Sequence, residues 1–153
     1  MAPEASSQCM MPATLAGIEA LQRWLVGLTA EWQLPASLAH RLDLCLTESV
    51  SNVIAYGYPR AAAGTVSIVG SRDSERIVVR IDDDGTAFDP TRYVPPELPQ
   101  SLGEASIGGR GIRLVRHFAD EIHYRRLAAQ NQLTLVFRCA DSRKNNCKIA
   151  VQN

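Results

Sequence analysis

From Leu15 to Tyr56 apolar side chains recur every three or four residues; beyond Gly57 and Pro59 the chain changes to short β-branched runs. A chain with that switch must lay amphipathic helices on a sheet, which excludes both all-helical bundles and all-β barrels. The first helical stripe is Leu15, Ile18, Leu21, Leu25, Leu28 and Trp32, with Thr14 suited to the N-cap. Pro35 can open a second helix whose packed side is Leu38, Leu42, Cys45, Ser49, Val53 and Tyr56. The runs TVSIVGS (65–71) and RIVVRIDD (76–83), parted by the polar stretch SRDSE, predict an antiparallel hairpin. GGRGIRLVRHF reads as a glycine-rich turn feeding a short helix, and DEIHYRR and NQLTLVFR as a second hairpin joined near Ala128 to Gln130. SQCMMP at the start can add one more strand. The expected fold is a two-layer α/β (α+β) sandwich: a mixed, mostly antiparallel sheet with helices on one face. The domain is expected over 12–138, between an N-terminal segment, 1–11, and a polar C-terminal tail, 139–153.

Size and charge narrow the function classes. The 153 residues suffice for one compact domain, and 46% hydrophobic residues can fill its core. Sixteen basic and sixteen acidic residues cancel, so no global field holds a polyanion, and no direct nucleic-acid partner is expected. No apolar run reaches the roughly 20 residues of a membrane span, and MAPEASSQCMMP lacks a secretory pattern; the expected location is cytoplasmic, with no membrane partner. Cys9, Cys45, Cys139 and Cys147 are scattered without a metal-site spacing and are read as thiols without a role. His40, His117 and His123 are read as ordinary helix or strand residues.

Three constellations carry chemistry. Glu48 and Asn52, four apart, lie on one helix face and can share a ligand. A carboxamide oxygen there suits a hard cation such as Mg²⁺, and a carboxylate suits deprotonating a hydroxyl; a plain solvated face is the other reading. In IDDDGTAFDP a strand runs into three acids and the small residues Gly85, Thr86 and Ala87, which let a flat ligand approach the backbone; an acidic turn is the alternative. Gly108, Gly109 and Gly111 precede a helix, where bare backbone N–H groups and the helix dipole favour an anion such as triphosphate. Between Asp89 and Ile107 lies a long connection with four of the eight prolines and no periodicity, the mark of a functional or mobile loop.

In this order, Glu48-x-x-x-Asn52 in ESVSNVIAYGYP, Asp83-x-Gly85-x-Ala87 in DDDGTAFDP and GGRGIRLVRHFADEIHYRR resemble the N, G1 and G2 boxes of the GHKL, or Bergerat-type, ATPase superfamily. Tyr-Gly-Tyr-Pro and Phe-Asp-Pro narrow the likeness to the anti-sigma factor serine kinases, the RsbW type. The resemblance implies the histidine kinase-like ATPase fold, ATP and Mg²⁺ as ligands, Glu48 as general base and Asn52 as metal ligand. It implies that Asp83 accepts a hydrogen bond from the adenine amino group, with Gly85 and Ala87 flooring the base site. Residues 89–107 would be the ATP lid, ordered by nucleotide, and Gly108, Gly109, Arg110 and Gly111 would wrap the phosphates. It also implies a sigma factor, an anti-anti-sigma (STAS-type) antagonist phosphorylated on serine or threonine, or both, as partners. A module of the same fold that binds without transferring phosphate is the alternative, and the catalytic half of a histidine kinase a weaker one. A homodimer is compatible with the chain, and Trp24 and Trp32, assigned to different faces of the first helix, would supply its surface.

Overall fold

A computed structural model describes residues 3–58, 64–94 and 109–140. Five strands and three helices follow in the order β1 (Ala5–Pro12), α1 (Leu15–Glu31), α2 (Ala36–Asn52), β2 (Thr65–Arg72), β3 (Arg76–Asp83), α3 (Gly109–Phe118), β4 (Glu121–Leu127) and β5 (Gln130–Arg138). The sheet order is β1-β2-β3-β5-β4, and every pairing among the described strands is antiparallel. SQCMMP does form a strand: β1 pairs with β2 in the register Cys9 to Ile68. Most of the expected loop 89–107, Gly108, Cys147 and the tail beyond 140 lie outside the described residues.

The strand alternation is clean. Ile77, Val79, Ile81 and Asp83 on β3 and Asn131, Leu133, Leu135 and Phe137 on β5 point inward, under the helices. The helices close this layer with Leu21, Leu25 and Leu28 from α1 and Leu38, Leu42, Cys45, Leu46 and Val50 from α2. Leu15, expected in the stripe, is 82% exposed; the first turn of α1 meets β1 through Gly17 instead, which is buried against Met11 and Pro12. Thr14 occupies the N-cap in extended conformation but makes no side-chain cap bond. α1 ends in a Schellman-type closure: Gln33 takes a φ of 49°, its N–H donates to Ala30 O, and Leu34 N–H donates to Thr29 O. The two tryptophans do not face apart. Trp32 is buried, Trp24 donates from Nε1 to Ser7 Oγ at 3.0 Å, and both rings lie over Gly70 of β2, so they cover the sheet rather than offer an outer surface.

One bolt joins α2, α3 and β5. Arg41 donates to Phe118 O at 2.8 and 3.0 Å and to Asp120 Oδ2 at 2.8 Å, and its guanidinium lies 5.8 Å from the Phe137 ring centroid. Asp120 Oδ2 also accepts the Arg138 N–H. Arg41→Ala leaves a carbonyl and a carboxylate short of donors and is expected to cost about 2–3 kcal/mol, less than a wholly buried pair. In a thermal melt that corresponds to a drop of roughly 5–10 °C.

Candidate functional site

α2 does not simply stop. Its last residue, Asn52, leads into one π-helical turn, Val53–Gly57, the kind of irregularity that often sits at functional sites. The turn delivers Gly57 against Gly85, where Thr86 N–H donates to Gly57 O at 2.6 Å. A Cβ on Gly85 would lie 2.6 Å from Gly57 O and 2.8 Å from its Cα. Gly85 has no positive φ; it is glycine because two backbones touch. The end of the catalytic-candidate helix and the turn after β3 thus meet backbone to backbone at these two glycines.

Of the three consecutive acids, only Asp83 points inward. Asp82 lies on the opposite face and pairs with Arg80 at 2.8 Å, and the exposed Asp84 accepts the Tyr58 hydroxyl at 2.5 Å. Asp83 is 5% exposed, and burial pushes its carboxyl above the usual carboxylate range, against the pull of its Asn131 and Gly85 hydrogen bonds. Gly85 N–H and Asn131 Nδ2 both donate to Oδ1 at 2.9 Å, so among the described residues Oδ2 is the oxygen left for a ligand.

Asn52 and Asp83 line one cleft, of about 460 Å³ including its open mouth. Ser49, Ile112, Tyr124 and Asn131 also line it. Ala87 is exposed and outside this lining; Phe88 stands there instead, stacked on Tyr56 with ring centroids 4.9 Å apart. Arg116, also on the cleft, donates to Pro90 O at 2.7 Å and Tyr93 O at 2.5 Å, tying the first residues of the expected lid to α3.

The glycine-rich segment runs into the helix itself: Gly109, Arg110 and Gly111 form the first turn of α3, with Gly109 and Gly111 buried and Arg110 exposed. Their N–H groups belong to the helix's unsatisfied positive end, which suits a phosphate group. Gly111 crosses close over α2: a Cβ there would lie 2.2 Å from Glu48 Oε2. Glu48 is therefore brought to the N-terminal turn of α3, a helical turn away from Asn52 on the same helix.

Sequence reasoning passed over Asn131 and Tyr124, two further polar residues of the cleft. The signal for Asn131 was present: the alternation that turns Leu133, Leu135 and Phe137 inward turns Asn131 inward too, and a buried carboxamide on a core strand face needs partners.

The cleft fits a nucleotide and its cation in donor chemistry. A buried carboxylate with one open oxygen can accept from an amino group, and a helix start can hold phosphates. No group of three or more His, Cys, Asp or Glu residues that could hold a metal occurs among the described residues. A cation beside Asn52 would thus draw most of its shell from phosphates and water, the habit of Mg²⁺.

Helices over one face of an antiparallel sheet, with a cleft between α2, the end of β3 and α3, define a kinase-like ATPase domain. The chain belongs to that family: the model of the histidine kinase-like ATPase domain matches residues 11–137. It is 31% identical over 117 residues to the serine/threonine-protein kinase BtrW of Bordetella bronchiseptica, covering 76% of this chain and 82% of that protein. Its fold is similar to the RsbU and RsbW domains of Rv1364c from Mycobacterium tuberculosis, with a TM-score of 0.61 and 16% identity over 90% of this chain; the chain spans 33% of that one. The histidine kinase domain of an Erythrobacter litoralis blue-light activated kinase is also similar, with a TM-score of 0.53 and 18% identity, covering 80% of this chain and 60% of that one. The family model and the BtrW relative together place the chain among the histidine kinase-like ATPase domains, with a serine/threonine-protein kinase as a sequence relative. Among the described residues no helix is long and apolar enough to cross a membrane.

Proposed function

We propose that this chain is an ATP-dependent serine/threonine protein kinase of the anti-sigma-factor type, which phosphorylates a STAS-type antagonist protein and binds a sigma factor in the cytoplasm. The observation that carries the reading is the meeting of Glu48 with the first turn of α3, one helical turn from Asn52. A base, a cation ligand and a phosphate-binding helix start then share one location. The name of the BtrW relative supports the choice of hydroxyl acceptor.

In this reading Asp83 Oδ2 accepts from the adenine amino group, Gly85 and Phe88, rather than the exposed Ala87, flank the base, and Gly108, Gly109, Arg110 and Gly111 hold the phosphates. Asn52 gives its carboxamide oxygen to Mg²⁺, which when bound neutralises phosphate charge as it is redistributed in transfer. Glu48 takes the proton of the incoming serine or threonine hydroxyl as its oxygen bonds to the γ-phosphorus and the bond to ADP breaks. The test is incubation with labelled ATP, Mg²⁺ and antagonist candidates encoded nearby. Label on a partner serine or threonine is expected; nucleotide binding with no label on any partner identifies a binding module instead.

Base selection is a separate prediction. Asp83 can pair with the amino group of adenine but would face the carbonyl of guanine, acceptor against acceptor. ATP should bind more tightly than GTP by about 10- to 150-fold, the 1.5–3 kcal/mol of one charge-assisted bond. The preference should fade on acidification at a higher pH than an ordinary carboxylate would give, because protonation of a carboxyl held above its usual range removes the acceptor. Calorimetry with both nucleotides checks it; equal affinities remove Asp83 from the base site.

A further inference from the structure

Asn131 is 5% exposed, and its hydrogen bonds are sorted by type. Its Nδ2 donates to Asp83 Oδ1 at 2.9 Å and Thr86 O at 3.0 Å, with a longer contact to Gly85 O at 3.4 Å. Its Oδ1 accepts from Tyr124 Oη at 2.6 Å and Arg126 Nη1 at 2.9 Å. Acceptors surround one end of the amide and donors the other, so turning it over would set N–H against guanidinium and oxygen against carboxylate. The amide has one orientation, and β4 enforces it through Tyr124 and Arg126. Arg126 Nη1 also donates to Gly85 O at 2.9 Å, so the same residue that orients the amide braces the turn after Asp83.

From this geometry we infer that Asn131 is a positioning residue for base selection, acting through Asp83: it occupies Oδ1 and thereby presents Oδ2 to the exocyclic amino group of a purine. The inference rests on the assignment of Asp83 to the base site. Without Asn131 the carboxylate is free to rotate, and either oxygen can turn to Gly85 N–H, so the acceptor is no longer aimed. The effect falls on the amino group alone. A residue touching the ring, or one that merely braces the fold, would affect every purine triphosphate alike.

The experiment measures binding of ATP and of purine riboside triphosphate, which lacks the amino group, to the full chain and to Asn131→Ala. The parent is expected to prefer ATP by about 10-fold or more, the size of one charge-assisted bond. Asn131→Ala should weaken ATP by about that factor and the analogue by less than about 2-fold, so that the ratio approaches one. In an Asp83→Asn background the same change should leave the ratio where it is, since the two residues act as a unit. Should Asn131→Ala fail to fold, Tyr124→Phe keeps the ring packing, removes one donor that orients the amide, and should narrow the ratio in the same direction. Equal loss for both triphosphates, or an unchanged preference in the variant that folds, overturns the positioning role while leaving Asp83 in place. A parent that binds both triphosphates equally overturns the Asp83 assignment and this inference with it.

Discussion

Glu48→Ala is expected to lower phosphotransfer to the partner protein by about 10²- to 10⁴-fold, the usual cost of a lost general base, while ATP affinity stays near that of the parent. The separation follows from position. Glu48 stands at the α3 turn and is not among the residues lining the cleft, whereas Asn52, one turn further on, lines it and is 7% exposed. Removing a base that acts only on the incoming hydroxyl changes the transition state and spares the ground state. Asn52→Ala should do the reverse, weakening Mg²⁺-dependent ATP binding because the cation loses the Asn52 carboxamide oxygen. Single-turnover rates and nucleotide dissociation constants on the two variants check the pair. Full phosphotransfer by Glu48→Ala would remove Glu48 as the base, and parental Mg-ATP affinity in Asn52→Ala would remove Asn52 as the cation ligand.

The parts of the molecule that were legible beforehand are those where one physical rule acts alone. The two helices and both hairpins follow from periodicity, because burial on one face rewards it; which of the three acids turns inward was carried by the family resemblance, not by the pattern. The misreadings lie where a second rule intervenes. Leu15 continues the α1 stripe, yet the first turn meets β1 through Gly17, whose absent side chain lets the helix sit on Met11 and Pro12, and Leu15 is left 82% exposed. Trp24 and Trp32, assigned to different faces, are only about 80° apart around the helix, and both reach over Gly70, whose missing side chain makes room for them. The tightness of the site was also hidden. GGRG announces a phosphate-binding helix start by composition, but that the helix begins inside the motif, and that Gly111 crosses over Glu48, depends on how α3 packs on α2. Asn131 was missed because its meaning lies in partners from β4 and the turn after β3, up to 48 residues away in the chain.

Gly85→Ala is expected to lower ATP affinity by about 5- to 150-fold, the equivalent of the 1–3 kcal/mol typical of overpacking, and to destabilise the fold by a similar amount. The new methyl would meet Gly57 O at 2.6 Å and Gly57 C and Cα at 2.8 Å, all backbone atoms. Neither side can yield cheaply, because Gly57 O accepts from Thr86 N–H at 2.6 Å and Gly85 N–H donates to Asp83 Oδ1 at 2.9 Å. Relief means lifting the turn from the end of α2, which carries Asp83 out of aim. Gly111→Ala looks similar in sequence but should behave oppositely. Its methyl would meet the carboxylate end of Glu48, a flexible side chain that can swing aside, and alanine inside a helix is favoured over glycine by about 0.5–1 kcal/mol. Stability and ATP binding should then hold or improve slightly while phosphotransfer falls by roughly 10²-fold, the scale of a base displaced by about an ångström. Denaturant melts beside binding and turnover measurements separate the two substitutions. If Gly111→Ala transferred phosphate as fast as the parent, Glu48 would not work from the position it holds at the α3 turn.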